Sequence, residues 1–201
     1  MTNDIAEQLA LKAHFPKRHV LNAATVGKTE NDSWHEKAAY VAKMIQANSL
    51  VVLIGTRGGG KTQLATSVTL DAMPRLFAAE KYKPACYFTA QDIFRDIRSS
   101  YRNSGRNESS IVDELTTCAL LIIDEIHERG QTAFEDRLLV EIIDKRYGAM
   151  LPTLIIGNLK PEEFAKQLGP SIADRCREGG GIVVLDGPSH RAQSTTLEKT
   201  Q

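Results

Sequence analysis

A glycine-rich segment of the chain has the composition and spacing of a phosphate-binding loop. It fits the pattern G-x-x-x-x-G-K-[ST] and comprises Gly55, Thr56, Arg57, Gly58, Gly59, Gly60, Lys61 and Thr62. Glycines let the backbone wrap closely around phosphates, and the loop N–H groups with a following helix N-terminus attract the anion. We expect Lys61 to contact the β- and γ-phosphates and the Thr62 hydroxyl to bind Mg²⁺. A glycine-rich turn with a chance lysine is disfavoured, because an apolar run precedes the segment and a helical pattern follows it.

Two acidic residues end a second apolar run further along the chain. Asp124 and Glu125 follow Leu120–Ile123, and the carboxyl ends of parallel strands are where open α/β sheets bind ligands. Asp124 is placed to hold Mg²⁺ through water, and Glu125 to orient or deprotonate an attacking water. A carboxylate base beside the metal ligand favours nucleotide hydrolysis over transfer to a substrate, so a P-loop kinase fits poorly.

A polar residue also ends the run Leu154–Gly157. Asn158 follows the strand that we expect between those leading to Lys61 and Asp124. In that position it would touch the γ-phosphate or the attacking water. The structural alternative is an asparagine that forms a turn or caps a helix ahead of Pro161. Because the glycine-rich loop and the acidic pair are also present, we favour the catalytic role.

Short apolar runs alternate with helical patterns along the chain. The predicted strands are Leu50–Ile54, Ala85–Phe88, Leu120–Ile123, Thr153–Ile156 and Ile182–Leu185. The predicted helices are Lys61–Met73 (ended by Pro74), Gln91–Tyr101 (capped by Thr89), Ala133–Tyr147 and Pro161–Leu168. A polar surface loop is predicted over Ser99–Ser110. This alternation predicts an α/β fold with right-handed crossovers.

Composition restricts the class of protein. The chain has 201 residues with 25 basic and 25 acidic side chains, so binding of nucleic acid by bulk charge is not expected. Three widely spaced cysteines indicate a reducing compartment and no structural zinc. The sequence shows no signal peptide and no run long enough for a membrane span, so we expect a cytoplasmic protein without a membrane partner.

Together these motifs resemble the AAA+ ATPases, and more narrowly the DnaC-type helicase loaders and IstB-type transposition helpers. The resemblance runs from Phe15-Pro16-Lys17-Arg18 to Arg191. Further segments that carry it are Tyr87-Phe88-Thr89, Glu135-x-x-Leu138, Arg146-Tyr147, Pro152-Thr153, Leu168-Gly169 and Ile172-x-Asp174-Arg175-x-Arg177.

The resemblance implies a P-loop fold with a five-stranded parallel sheet sandwiched by helices, in the strand order 5-1-4-3-2, and no substantial lid domain. It implies an N-terminal extension at residues 1–14, an ATP-binding domain at 15–191 and a flexible tail at 192–201. It also implies ATP and Mg²⁺ as ligands and a homo-oligomer in which an arginine reaches a neighbour's nucleotide. Arg175 is the first choice for that residue and Arg177 the second, while a salt bridge to Asp174 or Glu178 is the structural alternative.

Single-stranded DNA is a further expected partner. Arg95, Arg98 and Arg102 share one face of a predicted helix, and the pair Lys17 and Arg18 would add to this surface. An ordinary solvated helix face with local acidic partners explains the same pattern. The family resemblance favours DNA.

The expected function is that of an ATPase stimulated by assembly or DNA, acting on a replicative helicase as a loader. An IstB-like transposase helper and a nucleotide-switched adaptor with little hydrolysis remain alternatives. Few residues precede Phe15, fewer than the helicase-binding domain of loaders requires, which puts that mode of helicase binding in question. Asp124 to His127 also matches the D-E-x-H box of two-domain helicases. We treat that match as coincidence and expect His127 at the surface or an interface.

Overall fold

The computed structural model describes residues 3–29, 32–78, 83–101 and 107–186. Within these residues the strands are β1 (Leu50–Ile54), β2 (Cys86–Thr89), β3 (Leu121–Asp124), β4 (Thr153–Gly157) and β5 (Ile182–Val184). The helices are α1 (Asn3–Lys12), α2 (Lys17–Thr29), α3 (Asp32–Gln46), α4 (Lys61–Ala78), α5 (Ala90–Ser100), α6 (Glu108–Thr117), α7 (Ala133–Gly148), α8 (Pro161–Leu168) and α9 (Pro170–Glu178). A 3₁₀ helix, Ile126–Glu128, follows β3.

The strands form one parallel sheet in the order β2-β3-β4-β1-β5, which confirms the predicted order. Alternate residues of each strand face opposite layers of helices. Leu50 and Val52 pack in the layer of α5 to α9, while Val51 and Leu53 pack in the layer of α1 to α4. Because both faces are covered, the strands consist of continuous apolar residues. This sandwich brings the carboxyl ends of β1, β3 and β4 to one edge.

Two sequence predictions about helix ends are wrong. Helix α4 does not stop at Pro74 but continues to Ala78, because Leu76 is buried and its packing outweighs the lost backbone hydrogen bond. The predicted loop Ser99–Ser110 is helical at both ends, where the structure describes it. Asn107 caps α6 by accepting a hydrogen bond from the Ser110 N–H at 2.8 Å. The predicted Thr89 cap of α5 is confirmed, since its hydroxyl accepts from the Asp92 N–H at 3.1 Å.

The N-terminal helices, which the sequence did not predict, belong to the packed structure. Ala6 and Ala10 of α1 are buried in the same layer as α4. The backbone N–H of Tyr87 donates to the carbonyl of Ala13 at 2.9 Å, which ties the end of α1 to the edge strand β2. The first turns of α2 are thereby brought beside the start of α4. The predicted tail at 192–201 lies outside the described residues.

Candidate functional site

The glycine-rich loop joins β1 to α4 and is shaped by contacts on both of its sides. Gly55 has a φ of +134°, and a Cβ there would lie 2.2 Å from the carbonyl oxygen of Leu185. A Cβ on Gly59 would lie 2.7 Å from the same oxygen. The absence of a side chain at these two glycines therefore lets the segment after β5 pack against the loop. The Leu185 N–H of that segment donates to the Ile54 carbonyl of β1 at 2.8 Å. Close approach to the chain itself, as well as to a phosphate, requires glycine here.

Lys61 is the first residue of α4, and its side chain reaches back to the loop that precedes the helix. Its Nζ donates to the carbonyls of Gly55 at 3.0 Å and Thr56 at 2.7 Å. Burial lowers the pKa of Lys61 from its ordinary value, and the charges of Asp124 and Asp186 partly oppose this shift. A phosphate entering at the N-terminus of α4 would supply negative charge to this buried ammonium group.

Asp124 ends β3 directly opposite the start of α4. Its Oδ2 accepts hydrogen bonds from the Thr62 hydroxyl at 2.8 Å and the Tyr87 hydroxyl at 2.6 Å. Its Oδ1 accepts from the Glu125 N–H at 2.7 Å. Burial and the Asp124 carboxylate raise the pKa of Tyr87, so this phenol keeps its proton and donates. The Asp124 carboxylate is thus held in one orientation, in contact with the Thr62 hydroxyl.

The donor set at Asp124 and Thr62 fits Mg²⁺. A hydroxyl and a carboxylate oxygen 2.8 Å apart are ligands that this cation prefers. Among the described residues no group of three or more His, Cys, Asp and Glu side chains is placed to hold a metal. Mg²⁺ bound here would therefore complete its shell with phosphate oxygens and water, as it does in nucleotide sites.

Glu125 differs from Asp124 in exposure and backbone conformation. Its φ of +53° is left-handed, and its side chain is exposed at the wall of a cavity of about 450 Å³. The same cavity is lined by Lys61, Thr62 and Asp124. A free carboxylate therefore faces the space in which the terminal phosphate of a nucleotide would lie.

Asn158 follows β4, between β1 and β3, as predicted. It lines the cavity together with His127, a residue expected at the surface or an interface. The Asn158 N–H donates to His127 Nδ1 at 3.2 Å, and its side-chain nitrogen Nδ2 lies 3.2 Å from His127 Nε2. A Cβ on Gly157 would lie 2.8 Å from Ile126, so glycine at this position lets β4 approach the 3₁₀ helix closely.

The start of α2 forms a wall of the cavity that sequence reasoning missed. Arg18, His19 and Asn22 of this helix line the cavity, together with Pro16 just before it. Gln63 links this wall to α4, because its Oε1 lies 2.8 Å from His19 Nδ1 and its Nε2 donates to the His19 carbonyl at 3.0 Å. Arg18, which the sequence suggested as part of a DNA-binding pair, lines this cavity, and its role in DNA binding stays a prediction. The motif Phe15-Pro16-Lys17-Arg18 could have drawn attention to this segment. It does not predict that the segment packs beside the phosphate-binding loop.

Two of the arginines proposed to contact DNA, Arg95 and Arg98, form ion pairs within the chain. Arg95 lies 2.5 Å from Asp92 and 4.0 Å from Asp96, which are the local partners expected for a solvated face. Arg98 donates to Glu135 at 2.7 Å, and this carboxylate is buried. Arg102 lies outside the described residues. The assignment of these arginines to DNA stays a prediction.

The candidate trans-acting arginines do not line the cavity. Arg175 forms an ion pair with Asp144 at 2.9 Å and lies over the Tyr147 ring, 5.7 Å from its centroid. Its partner is thus on α7 and is neither Asp174 nor Glu178. Arg177 pairs with Asp174 at 2.6 Å and its side chain is 66% exposed, against 25% for Arg175. A role in trans stays a prediction, and Arg175 would have to leave Asp144 to fulfil it.

The sheet order, the phosphate loop after β1 and the acidic pair after β3 define the AAA+ class of P-loop proteins. The sequence profile of the family described as IstB-like ATP binding protein matches residues 9–197. The chain belongs to this ATP-binding family.

Named relatives agree with this family. The replicative helicase loader DnaC of Escherichia coli (strain K12) is 30% identical over 148 residues, which are 73% of this chain and 58% of the loader. The chain thus spans less than two thirds of that relative. A crystal structure of the DnaC helicase loader aligns with a TM-score of 0.53 at 17% identity, covering 84% of this chain and 88% of that one. The replication initiator DnaA bound to AMPPCP and single-stranded DNA aligns with a TM-score of 0.62 at 15% identity, covering 86% and 54%.

None of the helices in the described part of the chain has the length and apolar character needed to cross a bilayer.

Proposed function

We propose that the protein binds Mg·ATP and hydrolyses it to ADP and phosphate. One observation carries the proposal: the Thr62 hydroxyl contacts Asp124 at 2.8 Å beside the exposed carboxylate of Glu125, in a cavity that also holds Lys61. Bound Mg²⁺ would neutralise charge on the β- and γ-phosphates. The ammonium of Lys61 would bind the same phosphates from the N-terminus of α4.

Glu125 is the base in this proposal, because Asp124 is already engaged. Both oxygens of Asp124 accept hydrogen bonds, from Thr62 and Tyr87 on one side and the Glu125 N–H on the other. Glu125 is exposed to the cavity and free to orient a water. The water oxygen forms a bond to the γ-phosphorus, its proton passes to Glu125, and ADP leaves with the electrons of the broken P–O bond.

The test is Glu125→Gln, which keeps the shape of the side chain but cannot accept the proton. We expect ATP affinity to stay within twofold while turnover falls about 10²–10⁴-fold. Glu162→Gln is the matched control, because this glutamate is exposed and does not line the cavity. Unchanged turnover in Glu125→Gln would show that water is activated elsewhere.

We further propose that ATP turnover serves the loading of a replicative helicase onto single-stranded DNA. The similarity to DnaC and the fold shared with DNA-bound DnaA support this assignment. An ATP-dependent pull-down that recovers a replicative helicase is the expected result, whereas recovery of a transposase would favour the IstB-like alternative. Turnover measured with and without single-stranded DNA separates a DNA-stimulated ATPase from a nucleotide-switched adaptor.

Assembly is the last part of the proposal, with Arg175 acting on a neighbour's nucleotide. Arg175→Ala would then keep ATP affinity but lose hydrolysis by a factor on the order of 10³. Mixing Arg175→Ala with Lys61→Ala would restore part of the activity, because some interfaces would pair an intact cavity with an intact arginine. No recovery in confirmed mixed assemblies would exclude action in trans and make Arg177 the next candidate.

A further inference from the structure

His127 lies where the segments after β3 and β4 meet at the cavity. It is two residues beyond Glu125, in the 3₁₀ helix, and its side chain is 19% exposed. Asn158 approaches both ring nitrogens: its N–H donates to Nδ1 at 3.2 Å and its side-chain nitrogen Nδ2 lies 3.2 Å from Nε2. Glu128 Oε1 lies 3.4 Å from Nε2. The imidazole therefore contacts the residue expected to sense the γ-phosphate.

We propose that His127 is a positioning residue that orients the Asn158 amide toward the γ-phosphate of bound ATP. The inference deepens the proposed nucleotide chemistry and rests on ATP occupying the cavity. His127 does not itself touch the nucleotide in this proposal. It acts by fixing which atom of the Asn158 amide faces the cavity.

The hydrogen-bonding capacities of the two groups determine the orientation. A backbone N–H is a donor only, so the Asn158 N–H requires Nδ1 of His127 to be an acceptor. A neutral imidazole has one acceptor nitrogen, so its proton lies on Nε2. Nε2–H can bond the Asn158 amide only through the amide oxygen. The amide atom placed 3.2 Å from Nε2 is the nitrogen Nδ2, so this bond requires the amide to be flipped about its terminal bond. After the flip the Asn158 oxygen faces the ring and its NH₂ group faces the cavity.

This orientation suits an anionic ligand. An NH₂ group presents donors to phosphate oxygens or to an attacking water, whereas an amide oxygen would repel the phosphate. Gly157 makes the arrangement possible, because a Cβ there would meet Ile126 at 2.8 Å and push β4 away from the 3₁₀ helix. Asn158 alone is free to flip, and the His127 ring removes that freedom.

The experiment compares ATP with ADP, because the proposal concerns the γ-phosphate alone. We expect His127→Ala to lower the ratio of the ADP to the ATP dissociation constant about tenfold. Asn158→Ala should lower it equally, and the double variant should lower it no further because both changes remove one interaction. ADP affinity and the melting temperature should stay as in the wild type, which excludes a general defect in folding.

Conservative variants separate positioning from packing. His127→Gln offers a donor near the place of Nε2 and should recover most of the ATP preference, whereas His127→Leu, of similar bulk, should not. Glu162→Gln, at an exposed glutamate that does not line the cavity, is the control and should leave the ratio unchanged. An unchanged ADP-to-ATP ratio in His127→Ala, or losses that add in the double variant, would overturn the proposal. If the wild type binds ATP without turning it over, the proposed hydrolysis fails and the affinity ratio still decides the role of His127.

Discussion

Arg146 is fully buried. Its guanidinium lies at the end of the sheet opposite the cavity, where β4 begins. It donates to the Thr153 hydroxyl at 2.8 Å, to the carbonyls of Leu115 and Cys118 at 2.9 Å each and to that of Pro152 at 2.7 Å. Burial lowers the pKa of Arg146 from its ordinary value, and the four oxygens that accept from it are uncharged. Two of its acceptors lie at the C-terminal end of α6, where the helix dipole is negative. One side chain thus joins α7 to α6 and to the start of β4.

Arg146→Met keeps much of the apolar stem and removes every donor. The four oxygen acceptors then lose their shared partner, at about 1 kcal/mol each if each is taken at the lower bound for a buried unsatisfied group. Removing a buried charge returns part of this cost, so we expect the free energy of unfolding to fall by about 3 kcal/mol. For a chain of this length, that change lowers the melting temperature by about 6–12 °C.

The assay is thermal and urea unfolding of both proteins. Arg137→Met is the matched control on the same helix, since Arg137 is exposed and lies over the Phe134 ring, 5.9 Å from its centroid. We expect the control to change stability by less than about 0.5 kcal/mol. Arg146→Lys should fall between the two, because one ammonium cannot reach all four acceptors. Wild-type stability in Arg146→Met would refute the reasoning that these carbonyls depend on the guanidinium.

Three further predictions concern the cavity. Gly55→Ala should reduce ATP affinity, measured by titration calorimetry, because its Cβ would lie 2.2 Å from the Leu185 carbonyl; unaltered binding would show that the loop yields. Tyr87→Phe removes a 2.6 Å donor to Asp124 and should raise the Mg²⁺ concentration needed for half-maximal ATP binding about tenfold, and an unchanged requirement would contradict the role of the phenol. Lys61→Ala should abolish tight ATP binding while the unfolding curve stays cooperative, and normal affinity in this variant would reject the site.

Local sequence was sufficient to place the strands. All five strands lie within one residue of their predicted bounds at each end, because continuous runs of Val, Ile and Leu mark strands covered on both faces. The phosphate loop and Asp124 followed from spacing alone, since β1 and β3 deliver them to one edge. The strand order came from the family resemblance, and periodicity could not have supplied it.

Contacts between residues that are distant in the sequence could not be predicted from it. The ion pair of Arg98 with Glu135 joins residues 37 positions apart, and that of Arg175 with Asp144 joins α9 to α7. Local acidic residues offered other partners for both arginines, and packing decided between them. The missed wall of the cavity has the same cause, because Gln63 and His19 are 44 positions apart.

The position of His127 shows how far topology extends a sequence motif. In a parallel sheet, residues that follow neighbouring strands meet at the same edge. Because β4 lies between β1 and β3, Asn158 must approach both Lys61 and the residues after Asp124. The charged or titratable residues that follow the acidic pair, His127, Glu128 and Arg129, therefore lie near the segment after β4, and His127 contacts Asn158. The sequence draws attention to His127 only as part of the D-E-x-H match. The strand order explains why this residue lines the cavity.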